Sequence, residues 1–470
     1  MNRNNLWLNI GIALVLILVA AFAGQLRRWQ KELPSTVRVM PGNTKTHDGL
    51  GPEEMLREEA ARLVQAEILV RFRSDVSTDR IEEITASFRD EIEDQIEAVP
   101  GLQAIDDLDD VGVQRVLEEY RALPEVEYAE ENFTISLSHT GGGKHIHATD
   151  PRFVDQWALA NEGQNGGKPG ADISAMRAWA ETTGSEDVVV AVLDSGVDYN
   201  HEDLAANIWS RPASISPFRD DHVGVIEDEH GYNAIANTGD PFDENGHGTH
   251  CAGIVGAVGD NQRGIAGVNW KVRIMPLKFM NAGGFGTTKD AIEAINYAID
   301  RKRAGVNVRV INASWGSTMK SRALEDIIRK ANEAGILFVA ASGNASVDND
   351  RRPHFPASYN LPNVISVAAL DAQDQLTSFS NFGAKSVHVA APGKDILSTW
   401  LGNDYEEHSG TSMATPVVAG VSALVLALQP SISVSELRTH LLNSVDQLPH
   451  LKGKVSSAGR INAAKAVGAD

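Results

Sequence analysis

Val188-Val189-Val190-Ala191-Val192-Leu193-Asp194-Ser195-Gly196 is an unbroken apolar run that ends on a carboxylate and a turn. Such a run reads as a strand buried on both faces, the kind a parallel sheet makes. Further apolar runs at Val272, Val308, Ile336 and Val364 alternate with helical patterns such as Asp290 to Lys302 and Ser321 to Ala334. That alternation implies βαβ units, and so an α/β fold with a mainly parallel central sheet and helices on both faces. Asp194 then lies at a strand's C-terminal end, where open α/β sheets place their sites.

Two downstream segments carry the complementary groups. Asn245-Gly246-His247-Gly248-Thr249-His250 supplies an imidazole, and Ser409-Gly410-Thr411-Ser412-Met413-Ala414-Thr415-Pro416 supplies a hydroxyl. A serine hydroxyl is a weak nucleophile near neutral pH, and acyl transfer needs a positioned imidazole to take its proton and return it to the leaving group. Pro416 to Leu428 is apolar almost all round, which predicts a buried helix with Ser412 near its N-terminus. Free N–H groups and partial positive charge at that end would favour an oxyanion.

Each segment alone has a plainer explanation. Ser412 could cap a helix. His247 and His250 stand three apart, as metal ligands can, yet no third-ligand signature accompanies them. The order Asp, His, Ser along the chain differs from the Ser, acid, His order of α/β-hydrolases.

Taken together, the three segments resemble the catalytic motifs of the subtilisin-like serine protease family. The resemblance runs from about Asp150 to Val467, and includes Phe355-Pro356-Ala357-Ser358-Tyr359 and Ser378-Phe379-Ser380-Asn381-Phe382-Gly383. It implies a serine endopeptidase acting on protein or peptide substrates, with Ser412 as nucleophile, His247 as base and Asp194 orienting it. It also implies that Asn344, in Ala340-Ala341-Ser342-Gly343-Asn344, completes the oxyanion hole. Ser314-Trp315-Gly316 and Gly284-Phe285-Gly286 match the substrate-binding strands. The pocket for the residue before the scissile bond is expected near Trp315, Gly316, Gly343 and Ala345, with His354 close enough to enter it. With no acid there to hold a basic side chain, an apolar or aromatic residue is expected. Two rival readings are a membrane-tethered processing protease and a catalytically silent peptide-binding protein that keeps the fold.

The chemistry requires no cofactor, and one loop reads either as a structural calcium site or as a solvated surface turn. Asp203, with Asp260 and Asn261 in Gly259-Asp260-Asn261-Gln262-Arg263-Gly264, would supply hard oxygen ligands. An insertion between Ile208 and Asn245 holds Asp220, Asp221, Glu227 and Asp228, but His222 and Val223 stand where a polar-Gly pair would suit a second ion.

The first third of the chain reads differently. Arg3, the apolar stretch Leu6 to Val19 and Ala21-Phe22-Ala23 form a signal-peptide layout, so residues 1–23 are read as a signal peptide or, uncut, as a membrane anchor through residues 6–23. Arg27, Arg28 and Lys31 favour retention on the inner side. Export, secreted or periplasmic, is the leading expectation. Residues 24–64 are read as a linker with a short helix. Residues 65–136 follow a βαββαβ pattern whose closing Val126-Glu127-Tyr128-Ala129-Glu130-Glu131-Asn132 resembles the end of the family's inhibitory propeptide, a partner in cis. Residues 137–149, with Gly141-Gly142-Gly143, are a flexible linker where self-cleavage is expected, and 150–470 form the catalytic domain.

Charge supports this division. Residues 52–132 hold 24 Asp plus Glu against 8 Arg and no Lys, a balance of −16 out of the chain's −21. So acidic a chain lacks the basic face that nucleic-acid phosphates require. Cys251 is the only cysteine, which excludes an internal disulfide.

Overall fold

The computed structural model describes residues 68–95, 101–107, 113–131, 146–220 and 223–469. The signal or anchor segment, the 24–64 linker and most of the cleavage linker lie outside these residues. The described residues form two compact units, one up to residue 131 and one from residue 146.

The first unit runs β1 (Ile68–Phe72), α1 (Thr78–Phe88), β2 (Asp90–Gln95), β3 (Leu102–Asp107), α2 (Val113–Arg121) and β4 (Val126–Glu131). Its antiparallel sheet has the order β2-β3-β1-β4. Strand alternation puts Ile68, Val70 and Phe72 on one face, where they meet Ile81 and Ile84 of α1 and Val116, Leu117 and Tyr120 of α2. Ser77 caps α1 by accepting from Arg80 N, and Arg89 ends it in the left-handed region.

The second unit is built on a nine-stranded sheet. Its strands are β5 (Gly184–Asp194), β6 (Tyr232–Asn233), β7 (Lys271–Lys278), β8 (Val308–Ala313), β9 (Leu337–Ala341), β10 (Val364–Leu370), β11 (Val389–Pro392), β14 (Val445–Gln447) and β15 (Gly459–Ile461). A separate hairpin pairs β12 (Ile396–Trp400) with β13 (Asp404–His408). In the order β14-β15-β11-β10-β9-β8-β5-β7-β6, every pairing is parallel except β14 with β15. Helices α3 (His247–Gly256), α4 (Thr288–Arg303), α5 (Arg322–Glu333), α6 (Thr411–Leu428) and α7 (Val434–Asn443) complete the framework.

Two cores explain why the central strands are apolar on both faces. Val190, Val192, Val310 and Val339 point to the side of α3 and α6, while Val189, Ala191, Leu193, Ile311 and Phe338 point to the side of α4 and α5. Helix α6 is buried on nearly every side, which accounts for its lack of polar faces. By contrast α4 and α5 bury one stripe and start on side-chain caps, Thr287 accepting from Asp290 N and Ser321 from Leu324 N.

Candidate active site

The strand order reverses at β5: the chain passes from β5 to β7 on one side, then crosses to β8 on the other. Such a reversal opens a crevice at the strands' carboxyl ends. Asp194 is the last residue of β5, Ser314 directly follows β8, and Asn344 follows β9 after a short turn.

Helix α3 brings His247 to that crevice. The lack of a side chain at Gly248 makes this approach feasible, because a Cβ there would lie 2.0 Å from Gly196 O and 3.1 Å from the Asp194 Cβ. With the helix start pressed against the turn, Gly248 N donates to Ser195 Oγ at 3.0 Å, and His247 Nδ1 donates to Asp194 Oδ1 at 2.7 Å. Asp194 is fully buried, whereas about a third of the His247 side chain (32%) stays exposed. Burial by itself would lower the imidazole pKa. The Asp194 charge and hydrogen bond, with Asp243 adding, outweigh it and hold the ring above its ordinary value.

Ser412 occupies the second position of α6, where backbone N–H groups have no helical acceptor. Four residues on, Pro416 has no N–H to give the Ser412 carbonyl. That carbonyl instead accepts from Ser314 Oγ at 2.7 Å and from the Cys251 thiol at 3.6 Å. The Ser412 hydroxyl donates to Ser314 O at 2.9 Å rather than to His247. Asn344 is tied to the start of the same helix: its Oδ1 accepts from Thr411 N at 2.8 Å and from Thr411 Oγ1 at 2.9 Å.

The segments expected to bind substrate are placed around this centre. Trp315 points inward, its indole N–H donating to Leu193 O at 3.0 Å, and so ties the end of β8 to the end of β5. Gly284 has φ +76° and no crowding beyond Asn245, whose Nδ2 donates to Ala282 O at 2.9 Å. Gly286 and Gly316 are tighter. The chain's own Phe279 and His354 fill the space next to them, so these glycines admit protein groups rather than leaving room for a ligand.

For metals, the described residues hold one cluster of three candidate ligands, Asp194, His247 and Cys251, with ligand atoms within 4.8 Å of one another. Tetrahedral zinc ligands stand ~3.3 Å apart, and the 2.7 Å Asp194–His247 contact is too short to bracket an ion. Burial, then the Asp194 charge, keeps the Cys251 thiol pKa well above its usual value. His250 does not join His247 as a ligand pair. Its Nε2 lies 3.0 Å from Glu406 O, and burial with neighbouring His408 pushes its pKa down to about 3.

At the expected calcium loop, Asn261 Nδ2 donates to Asp203 Oδ1 at 2.6 Å, and Asp203 Oδ2 accepts from Ile265 N at 3.0 Å. The Asp260 carboxylate turns away to Thr149 Oγ1 at 2.7 Å. Asp150 takes its place, accepting from Asp260 N at 2.8 Å and Asn261 N at 3.1 Å. No local motif marks Asp150, because it reaches the loop from 110 residues away. Burial raises the pKa of both Asp150 and Asp203, and their nearness adds to the shift at Asp203. Two buried carboxylates stand at this loop, but the Asn261 amide gives its Nδ2 to Asp203 while its Oδ1 accepts from Arg263 N at 2.7 Å, and Asp203 Oδ2 also accepts from Tyr405 OH at 3.3 Å. In the insertion, Asp228 is neutralised by Arg211 at 3.0 Å and Arg301 at 3.2 Å and accepts from Tyr297 at 2.7 Å, which leaves it unsuited to bind an ion.

Residues 185–462 match the family model described as the subtilase family. A thermophilic serine proteinase of Bacillus sp. (strain AK1) is 33% identical over 417 residues, covering 87% of this chain and 89% of that protein. A halolysin-like extracellular serine protease of Natrialba magadii is 33% identical over 350 residues, covering 74% of this chain and 56% of its own. Among solved structures, that of a cold-adapted subtilisin-like serine proteinase is 31% identical, with a TM-score of 0.46 over 59% of this chain and 87% of that chain.

Proposed function

Because the chain belongs to the subtilase family and is a serine endopeptidase, we propose that Ser412, His247 and Asp194 carry out its acyl transfer. Ser412 Oγ turns from Ser314 O to His247 Nε2, gives up its proton and attacks the substrate carbonyl. Asp194 holds the Nδ1–H tautomer and favours the imidazolium that forms. The developing oxyanion is received by Ser412 N–H and Asn344 Nδ2. His247 then protonates the leaving amine, and water repeats the cycle on the acyl-enzyme. The single observation that carries this reading is the 2.7 Å Asp194–His247 contact, made at the crevice where the free N-terminus of α6 presents Ser412.

For calcium, Asp150 and Asp203 would be the ligands, and an ion there would neutralise two buried like charges and pin the loop once the Asn261 amide turned its oxygen inward. The first unit, acidic and βαββαβ in order, acts as an inhibitory propeptide removed by self-cleavage within residues 137–149. The alignment with the Bacillus proteinase supports treating the two units as one product, since 87% of the chain exceeds the second unit alone. Export is supported by the signal layout and by the extracellular relative.

The test is the Ser412→Ala protein beside wild type. Wild type should hydrolyse casein, take up one serine-reactive phosphonate and begin its mature sequence within residues 137–149. Ser412→Ala should do none of these and keep its full length. Casein hydrolysis by Ser412→Ala would overturn the nucleophile, and a mature start upstream of Gly101 would overturn the propeptide boundary.

A further inference from the structure

At the amino ends of β8 and β9, on the opposite edge of the sheet from Asp194, Ser314 and Asn344, lies an open cleft of about 430 Å³. Its walls come from the last turn of α4, the start of β8, the end of α5 and the link from α6 to α7. Two of the lining side chains are cations, Lys302 and Arg309. Arg309 is only 8% exposed. Lys302 is half-buried, and its stem lies against the end of α5, where a Cβ on Gly335 would meet Lys302 Cε at 3.8 Å.

Among the described residues neither cation has an acid for a partner. Lys302 Nζ donates to Val308 O at 2.7 Å, and Arg309 gives its guanidinium N–H groups to Pro430 O and, at 2.7 Å, to Ile432 O. Carbonyl dipoles accept these bonds but leave two neighbouring like charges without a counter-charge. Burial holds both groups below their ordinary pKa, and the nearness of Arg309 adds to the effect on Lys302, which is pushed down to about 8. The nearby acids are committed elsewhere. Glu333, which lines the cleft, is paired with Lys330 at 2.7 Å, and Glu436 of α7 is taken by the helix cap, accepting from the Ser433 hydroxyl at 2.6 Å. Helix α7 begins in the cleft wall, where the Val434 and Ser435 N–H groups have no helical acceptor and carry the positive end of its dipole.

We propose that this cleft is a binding site for a tetrahedral oxyanion, sulfate or phosphate, held by the Lys302 ammonium, the Arg309 guanidinium and the first N–H groups of α7. An ammonium has three donors, and Val308 O uses one of those on Lys302. The Ser431 and Ser435 hydroxyls line the same walls and add neutral donors. The ion's charge would compensate the two cations where they stand. Because α4, β8 and α7 come from separate parts of the sequence, the ion would also link them and stabilise the folded chain by mass action. The cleft lies at the far edge of the sheet from the proposed triad, so the inference stands independently of the acyl-transfer reading.

The experiment is equilibrium dialysis of the full chain against labelled inorganic sulfate at pH 7, with the serine-reactive phosphonate present to stop self-digestion. Inorganic phosphate serves as competitor, and chloride at equal ionic strength as control. Wild type should bind one sulfate per chain, displaced by phosphate and not by chloride, and the relative strength of the two oxyanions shows which the site prefers. The Tm should rise by roughly 3–5 °C for each tenfold increase of sulfate above its Kd. Lys302→Gln should bind sulfate about tenfold more weakly or worse, whereas Lys302→Arg, which keeps the charge, should retain binding. Absence of bound sulfate in wild type at about 10 mM overturns the proposal whether or not the variants fold. Equal binding by wild type and Lys302→Gln overturns it as well, and so does a Tm rise that chloride reproduces.

Discussion

Ser314 and Ser412 exchange two hydrogen bonds, Ser314 Oγ donating to Ser412 O at 2.7 Å and Ser412 Oγ donating to Ser314 O at 2.9 Å. The first replaces the helical bond that Pro416 cannot make, and the second holds the hydroxyl on Ser314 O instead of on His247. Ser314→Ala removes the first and leaves a nearly buried carbonyl with only the weak Cys251 thiol. We expect a stability loss of about 1–2 kcal/mol, seen as a Tm lower by roughly 2–8 °C. The kcat should fall about tenfold with KM little changed. An unchanged Tm would show that the carbonyl finds another donor.

Asp194 does two things to His247: it fixes the tautomer and it raises the ring's pKa against burial. Activity requires the neutral ring, so the acid limb of kcat/KM in wild type should have its midpoint above 6.5. In Asp194→Asn that charge is gone and burial is opposed only by the smaller effect of Asp243, so the limb should move to lower pH. At the same time kcat should drop by roughly 10⁴, the size of loss found when the equivalent acid is neutralised in serine proteases. A limb that stays in place would mean that another group sets it.

Asn344 provides two separate services through its two amide atoms. Oδ1 holds the first turn of α6 through Thr411, and Nδ2 is the donor proposed for the oxyanion. Asn344→Ala should therefore cost about 10²–10³ in kcat, the range known for loss of such a donor in subtilisin, together with a small fall in Tm from the lost cap. Asn344→Asp keeps the acceptor but not the donor. It should restore the Tm without restoring kcat, and recovery of both would remove Nδ2 from the mechanism.

Asp150 and Asp203 have folded-state pKa values raised above the unfolded ones. Carboxylates of this kind are neutral and harmless below the unfolded pKa, and they penalise the folded state as pH rises through the folded pKa. Calcium bound there would relieve the penalty. Chelation should then lower the Tm by roughly 5–10 °C near pH 8, and the difference should shrink as pH falls through the folded pKa values. Asp203→Asn should abolish the calcium response. A chelator effect that is equal at pH 4.5 and pH 8 would place the ion elsewhere.

Cys251 lies against Ser412 O and beside His247, but it is fully buried with its thiol held protonated. Thiol reagents should therefore label the folded enzyme far more slowly than the unfolded chain, and activity should fall only as labelling proceeds. Complete labelling with full activity would contradict the packing described for α3 and α6.

Much of this protein can be read along the chain. The apolar runs with two-sided burial at Val188–Leu193, Val308–Ile311 and Val364 set a parallel sheet, and Thr287, Ser321 and Ser77 mark helix starts by local capping chemistry. The proposed acid, base and hydroxyl each sit in a locally legible setting: a strand end, a glycine-flanked helix start, a helix N-terminus. What a periodic pattern cannot carry is which distant side chain fills a given space. That Ser314 serves Ser412 across 98 residues, and that Asp150 rather than the Asp260 side chain lies with Asp203 at the loop, were decided only by tertiary packing. The reason is physical: secondary structure follows from interactions within a few residues, whereas a pocket's shape is set by contacts between segments that meet only once the sheet has closed.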